Sequence, residues 1–217
     1  ARAYAEYVTS PSRQLARTPD ALTDEQAGGL PLAGLTAWQS LVDTAGVGEG
    51  DRVLVHAAAG GVGHLAVQIA KARGAHVIGT ARAEKHDLLR DLGLDEPIDY
   101  TEQRFEEEVS DVDVVLDLIG TEEYGLRSLK TLRKDGLLIP VPGGVSAPVA
   151  TAATEQSKHA TGMQVEPDYP GLESLAALAD KGQLKVEIEE IFPLERAAEA
   201  HERLQSGRAR GKVVLTT

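Results

Sequence analysis

The segment from Asp51 to Lys71 constrains the fold most, because it places a short apolar run, a glycine-rich turn and a helical pattern in direct succession. Val53 to Val55 has the length and β-branched content of a buried strand. The turn Gly60 to Gly63 follows, and apolar residues then recur at helical spacing. A dinucleotide-binding fingerprint has this order, because glycines admit a pyrophosphate and the helix N-terminus offers it N–H groups. The segment therefore predicts nucleotide binding, although Ala58 replaces the first glycine of the full pattern.

Strand and helix patterns alternate along the rest of the chain. Such alternation, with short turns, predicts an α/β fold with a doubly wound parallel sheet and right-handed crossovers, the Rossmann architecture. The stretch 145–158 is rich in Ala, Ser and Thr, and we predict a mobile loop there. The predicted strands cover residues 3–8, 53–55, 75–80, 97–100, 112–118, 136–141, 161–165, 185–191 and 211–217. The predicted helices follow a capping box at 23–26 and the glycine turn, and cover 32–44, 84–92, 122–132, 172–180 and 194–205.

Composition excludes several classes of function. The net charge of −12 argues against a nucleic-acid partner or an anionic membrane surface. The chain has no cysteine, so it can form neither a disulfide nor a thiolate metal site. It also lacks a bilayer-length apolar run and a signal-peptide pattern, which predicts a soluble cytoplasmic protein. No histidine pair has metal-site spacing, and we expect His56 in the core and His64 in solvent.

The end of the second predicted strand indicates which dinucleotide is bound. In a Rossmann unit an acid at this point bonds the ribose 2′-hydroxyl and favours NAD. Here the strand ends at Thr80, and no carboxylate appears before Glu84. Arg82 and Lys85 suit a 2′-phosphate instead and predict NADP, unless both are ordinary surface cations.

Further candidate residues follow the other strands, because ligands bind at the carboxyl ends of the strands in open α/β sheets. Tyr100 is expected over the adenine or beside the 2′-phosphate, unless it is a half-buried residue without a role. Ile119 and the stretch Val141 to Gly143 are expected to line the cofactor groove. Asp117 is expected to cap the turn that follows its strand.

Four ordered motifs give the chain a specific resemblance. They occupy residues 27–38 (AGGLPLAGLTAW), 55–63 (VHAAAGGVG), 192–201 (FPLERAAEAH) and 211–215 (GKVVL). In this order they resemble the medium-chain dehydrogenase/reductase superfamily, and the alanines before Gly60 resemble its zinc-free quinone oxidoreductase branch, the zeta-crystallin-like proteins. The resemblance implies a zinc-independent, NADPH-dependent reductase of quinones or other α,β-unsaturated carbonyls. It also implies a homodimer and no bound metal.

The resemblance assigns residues to the cofactor but no catalytic group, because hydride transfer in this branch relies mainly on positioning the nicotinamide. The fingerprint would hold the pyrophosphate, and the residues after the second and third strands would surround the adenosine end. Thr36, Val141 to Gly143 and Met163–Gln164 would lie toward the nicotinamide. The full predicted set is Thr36, Ala59, Gly60, Gly61, Val62, Gly63, Thr80, Arg82, Lys85, Tyr100, Ile119, Val141, Pro142, Gly143, Met163 and Gln164.

The resemblance also divides the chain. Residues 1–30 would be a remnant of a GroES-like catalytic domain, 31–165 the NADP-binding Rossmann domain, and 166–217 a segment returning to the catalytic domain. Family members begin with most of that catalytic domain, so we expect a truncated chain without the outer wall of its substrate cleft. Two alternatives remain open. One is an enoyl reductase acting on carrier-bound acyl chains, since polyketide synthase modules share the run Ala57 to Gly63; the other is a non-catalytic NADPH-binding interaction module.

Overall fold

The computed structural model describes residues 4–207 and 209–217. Its strands are β1 Arg52–Val55, β2 His76–Ala81, β3 Glu96–Asp99, β4 Val112–Asp117, β5 Leu132–Pro140, β6 His159–Ala160, β7 Ile188–Pro193 and β8 Lys212–Thr216. Its α-helices are α1 Asp24–Gly29, α2 Pro31–Trp38, α3 Gly63–Ala72, α4 His86–Asp91, α5 Phe105–Glu108, α6 Glu122–Thr131, α7 Ala147–Glu155, α8 Tyr169–Asp180 and α9 Ala197–Gln205. Short 3-10 turns occupy Ser12–Gln14, Ala83–Lys85 and Leu194–Arg196, and a π-helical segment, Gln39–Thr44, extends α2.

The central sheet has six parallel strands in the order β3-β2-β1-β4-β5-β6. The chain moves outward from β1 to β3 and then returns to place β4 on the other side of β1. This reversal makes a switch point between the carboxyl ends of β1 and β4, which is where ligands bind in such sheets. The predicted Rossmann fold is confirmed.

Alternate residues of each central strand enter different cores. Val53 and Val55 belong to one apolar cluster, whereas Leu54 belongs to the cluster on the opposite face. The first cluster includes residues of α2, α3 and α8, and the second includes residues of α5, α6 and α7. Because both faces are covered by helices, the inner strands are apolar along most of their length. None of the helices described combines the length and apolar content needed to cross a bilayer.

Outside the central sheet, the chain ends in a smaller sheet. Strands β7 and β8 pair in parallel with each other and are joined through α9. The predicted capping box is confirmed: Thr23 Oγ1 accepts from the Gln26 N–H, and Gln26 Oε1 accepts from the Thr23 N–H. The division into ranges 1–30, 31–165 and 166–217 stays a prediction.

Three expectations about secondary structure are wrong. The strand expected at 3–8 is absent from its described part, residues 4–8, where Tyr7 is 89% exposed; Ala3 lies outside the described residues. The sixth strand comes earlier than 161–165, because β6 covers only His159–Ala160, opposite Leu137 and Leu138.

The stretch 145–158, expected to be a mobile loop, contains helix α7. Ser146 caps this helix by accepting from the Val149 N–H, and a proline occupies its first turn. Val149 and Ala153, one helical turn apart, are buried in the second core cluster. This packing explains the order of a segment that its composition marked as a loop.

Candidate functional site

The turn between β1 and α3 requires glycine for steric reasons. Ala57 has a positive φ of 50°, and its carbonyl accepts from the Gly60 N–H at 2.9 Å. A side chain on Gly63 would place its Cβ 2.7 Å from the Ala58 carbonyl oxygen and closer still to that of Ala57. Glycine therefore allows α3 to begin directly against the end of β1, as the fingerprint predicts.

The same turn presents unpaired donors. Within the described parts of the chain, the N–H groups of Gly61, Val62 and Gly63 donate to no protein acceptor. They lie at the N-terminus of a ten-residue helix, whose dipole favours an anion there. The donor set thus fits a phosphate group.

A lysine from the other end of the chain completes this anion site. Gly211 N–H donates to the Ala59 carbonyl at 3.0 Å, which brings β8 against the turn. A Cβ on Gly61 would stand 3.2 Å from Lys212 Cδ and 3.6 Å from Lys212 Nζ. Burial lowers the pKa of Lys212, and its ammonium has no acceptor among the residues described. Sequence reasoning missed Lys212, although the motif Gly211 to Leu215 contains it.

Beside the turn lies a cleft of about 230 Å³ at the carboxyl ends of β1, β2, β3 and β4. It brings together seven predicted site residues: Ala59, Gly60, Thr80, Arg82, Lys85, Tyr100 and Ile119. Six lining residues were not predicted: Ala57, Ala81, Glu84, Tyr124, Gly207 and Ala209. A neighbouring groove continues from Gly60 and Gly61 to Lys212. The cleft and groove together form one elongated surface.

The cleft carries more positive than negative charge. The exposed guanidinium of Arg82 lies over the Tyr100 ring, 5.8 Å from its centroid. Lys85 Nζ lies 3.9 Å from Glu84 Oε1, so one of the two cations has a carboxylate neighbour. Asp99, at the end of β3, accepts from the N–H groups of Ala83 and Thr101. The predicted cations therefore stand together at the end of β2.

Two histidines lie beneath the site. His56 is fully buried between Thr80 and Ser128, and the prediction that it belongs to the core is confirmed. Burial, and then the nearby Arg127 charge, lowers its pKa to about 3, so the imidazole is neutral. The prediction that His64 is solvated is wrong. It is fully buried, donates from Nδ1 to the Gly60 carbonyl, and accepts at Nε2 from Glu187 N–H.

Residues predicted near the nicotinamide do not enter this cleft. Thr36 is buried, and its hydroxyl donates to the Leu32 carbonyl at 2.7 Å. Val141 and Met163 pack against the first core cluster, whereas Gln164 is exposed. Pro142 and Gly143 form the turn after β5, and the Pro142 carbonyl closely approaches Gly120.

Asp117 caps the neighbouring turn as expected. One of its carboxylate oxygens accepts from the N–H groups of Ile119 at 2.9 Å and Gly120 at 3.1 Å. The other oxygen is buried without a partner in the described structure, and burial raises the pKa of this group. Across residues 4–207 and 209–217, no three His, Cys, Asp or Glu side chains cluster as metal ligands.

Comparison with known proteins gives consistent matches. A family model described as zinc-binding dehydrogenase matches residues 92–215. The mitochondrial NAD(P)H oxidoreductase RTN4IP1 of Mus musculus is 34% identical over 97% of this chain and 60% of its own length. The polyketide synthase GfsB of Streptomyces halstedii is 39% identical over 94% of this chain and 4% of its own length.

Solved structures agree with the sequence matches. The quinone oxidoreductase from Coxiella burnetii has a TM-score of 0.87 and 38% identity, and the match covers 93% of this chain and 63% of that one. A structure described as an NAD-dependent alcohol dehydrogenase has a TM-score of 0.90 and 35% identity, over 99% and 65% of the two chains. The chain thus spans less than two thirds of the length of these proteins.

Proposed function

Because this chain belongs to the medium-chain dehydrogenase/reductase superfamily, we propose that it binds NADPH. We propose that it does so as the cofactor-binding part of a reductase of quinones or other α,β-unsaturated carbonyls. One observation carries the proposal. The Arg82 and Lys85 cations share a cleft with the glycine turn, at the switch point of the sheet.

The site residues divide by chemistry. The N–H groups of Gly61 to Gly63 and the Lys212 ammonium would hold the pyrophosphate. Arg82 and Lys85 would hold the 2′-phosphate, with Tyr100 beside the adenosine. Bound NADPH supplies a hydride to an electron-poor double bond. The residues of this chain contribute binding and orientation, and Thr36 and Val141 to Gly143 are proposed to face the nicotinamide.

The substrate class and zinc independence are part of the same proposal. The similar quinone oxidoreductase supports an acceptor with a conjugated carbonyl. Zinc independence is supported by the lack of cysteine in the chain. We further propose that the natural protein is a homodimer that binds no nucleic acid or membrane.

A second candidate function is an enoyl reductase acting on carrier-bound acyl chains. The match to a polyketide synthase, at 39% identity over 94% of this chain, favours it. A non-catalytic NADPH-binding module is the third candidate. It predicts cofactor binding without oxidation of NADPH by any acceptor.

Calorimetric titration of the chain with NADPH, and separately with NADH, tests the cofactor. Tighter binding of NADPH supports the proposal, whereas no binding by a folded chain, or tighter binding of NADH, contradicts it. NADPH oxidation by the natural protein then tests the substrate, with quinones in one series and α,β-unsaturated acyl thioesters in the other. Turnover of thioesters alone would favour the enoyl reductase.

A further inference from the structure

A buried chain of hydrogen bonds reaches the cleft from below. Thr80 borders the cleft, and its Oγ1 accepts from the Ala57 N–H at 3.3 Å. Beneath it, His56 Nδ1 lies 3.2 Å from Thr80 Oγ1, and His56 Nε2 lies 2.9 Å from Ser128 Oγ. His56 and Ser128 are fully buried, and Thr80 is 2% exposed. The proposed binding of a dinucleotide does not by itself assign any role to His56 or Ser128.

The hydroxyl of Ser128 determines which imidazole nitrogen carries the hydrogen. Among the residues described, His56 Nε2 is the only acceptor within reach of that hydroxyl. If Nε2 carried the hydrogen, the Ser128 hydrogen would be buried without an acceptor, which is the costly arrangement. If Nδ1 carries it, Ser128 donates to Nε2 and Nδ1 donates to Thr80. The fully buried Ser128 hydroxyl then has an acceptor, and so does the Nδ1–H of His56.

In this arrangement one hydroxyl hydrogen, that of Thr80 at the edge of the cleft, lacks an acceptor among the residues described. Thr80 Oγ1 then accepts from both Ala57 N–H and His56 Nδ1–H, so both of its lone pairs are engaged. Its own hydrogen has no acceptor in the described structure. Thr80 lines the cleft with Arg82 and Lys85, so the cleft is where a ligand can supply the missing acceptor.

We infer that His56 is a positioning residue: held as the Nδ1–H tautomer, it commits the Thr80 hydroxyl to donate into the cleft, toward an anionic phosphate oxygen. The inference rests on the proposed function, because it names Thr80 as an additional donor to the 2′-phosphate. A committed donor favours a phosphate acceptor, which has no hydrogen of its own. A ribose 2′-hydroxyl gains less, because it can serve either as donor or as acceptor.

Nitrogen NMR of the ligand-free chain, labelled with ¹⁵N at histidine, tests the tautomer. His56 is assigned by comparison with His56→Asn, because His64 also donates from Nδ1 and gives a similar pattern. A hydrogen on Nδ1 of His56 at neutral pH is expected. A hydrogen on Nε2, or on both nitrogens, would overturn the inference.

Cofactor titration of variants tests the consequence. His56→Leu removes the donor, and His56→Asn keeps an amide that can donate from the same side. We expect His56→Leu to weaken NADPH binding about tenfold and NADH binding less than about threefold. The tenfold loss is about the size expected when one hydrogen bond to a charged phosphate oxygen is lost. His56→Asn is expected to restore most of the NADPH affinity.

Thr80→Val keeps the test decisive if His56→Leu does not fold. It should lower NADPH affinity as much as His56→Leu, and the double variant should lose no more than either alone. Equal losses for NADPH and NADH, or additive losses in the double variant, would contradict the inference. Absence of NADPH binding by the unmodified chain would instead overturn the proposed function, and the NMR result would still decide the tautomer.

Discussion

Replacing Arg82 with alanine is expected to separate the two dinucleotides. The guanidinium is exposed at the cleft, lies over the Tyr100 ring, and forms no ion pair with any carboxylate in the described structure. It is therefore available to a ligand, and stacking on Tyr100 restricts its motion before the ligand arrives. NADH has no 2′-phosphate for it to contact.

The size of the effect follows from exposure. Two unit charges about 4 Å apart attract by about 1 kcal/mol in water and about 4 kcal/mol at an effective dielectric constant near 20. Because Arg82 is exposed, we take about 2 kcal/mol, which corresponds to a loss of roughly thirtyfold in NADPH affinity. NADH affinity should fall less than about threefold, since only weak stacking is lost.

Calorimetry with both dinucleotides at low and at high salt measures this difference. The thirtyfold ratio should shrink at high salt, because exposed charges are screened. Arg17→Ala is the matched control: it removes the same charge from a residue that pairs with Asp20 and lines neither the cleft nor the groove beside it. Equal losses for NADPH and NADH in Arg82→Ala, or equal effects of the two variants, would refute the reasoning.

Three further changes test other parts of the structure. Lys212→Met should weaken NADPH and NADH binding alike, by about tenfold in calorimetry. It should leave stability unchanged or higher, because a partly buried ammonium without an acceptor is costly to fold. Gly63→Ala should lower the free energy of unfolding, measured in urea, by several kcal/mol. Gly28→Ala is the control and should not lower it, because a Cβ at Gly28 would have open space around it. The folded chain holds His56 (pKa about 3) and His64 (pKa about 4) neutral, whereas both protonate near pH 6.5 in the unfolded chain. The free energy of unfolding should therefore keep the whole contribution of these two histidines above pH 6.5 and lose about 4 kcal/mol by pH 5. A flat unfolding free energy between pH 8 and pH 5 would contradict that assignment.

Local patterns were enough to predict the strand, glycine turn and helix of the fingerprint, because all three lie within twenty-one residues. Arg82 and Tyr100 were predicted together by a rule of topology, since parallel strands end at one edge of the sheet. The cleft confirms that they meet. Both successes needed only the alternation of strands and helices along the chain.

The missed features depend on packing between distant segments. Lys212 reaches the turn only because β8 docks on Ala59. His64 is buried because the segment before β7 covers the start of α3, where its Glu187 N–H donates to the imidazole. The alternating pattern of residues 4–8 indicated a strand, but no neighbouring strand pairs with it in the part of the chain described. Helix α7 had a local signal, the cap at Ser146, that composition obscured.

The docking of Gly211 on Ala59 also determines when the site can exist during synthesis. The two residues are joined by a single backbone hydrogen bond at 3.0 Å but stand far apart in the chain. At about 5–20 residues per second, a ribosome needs roughly 7–30 s to pass from the glycine turn to β8. Through that interval the Rossmann strands can pair while their anion site still lacks its lysine. A dinucleotide in the cell is therefore expected to bind after β8 is made and to stabilise the docking of β8 on the turn.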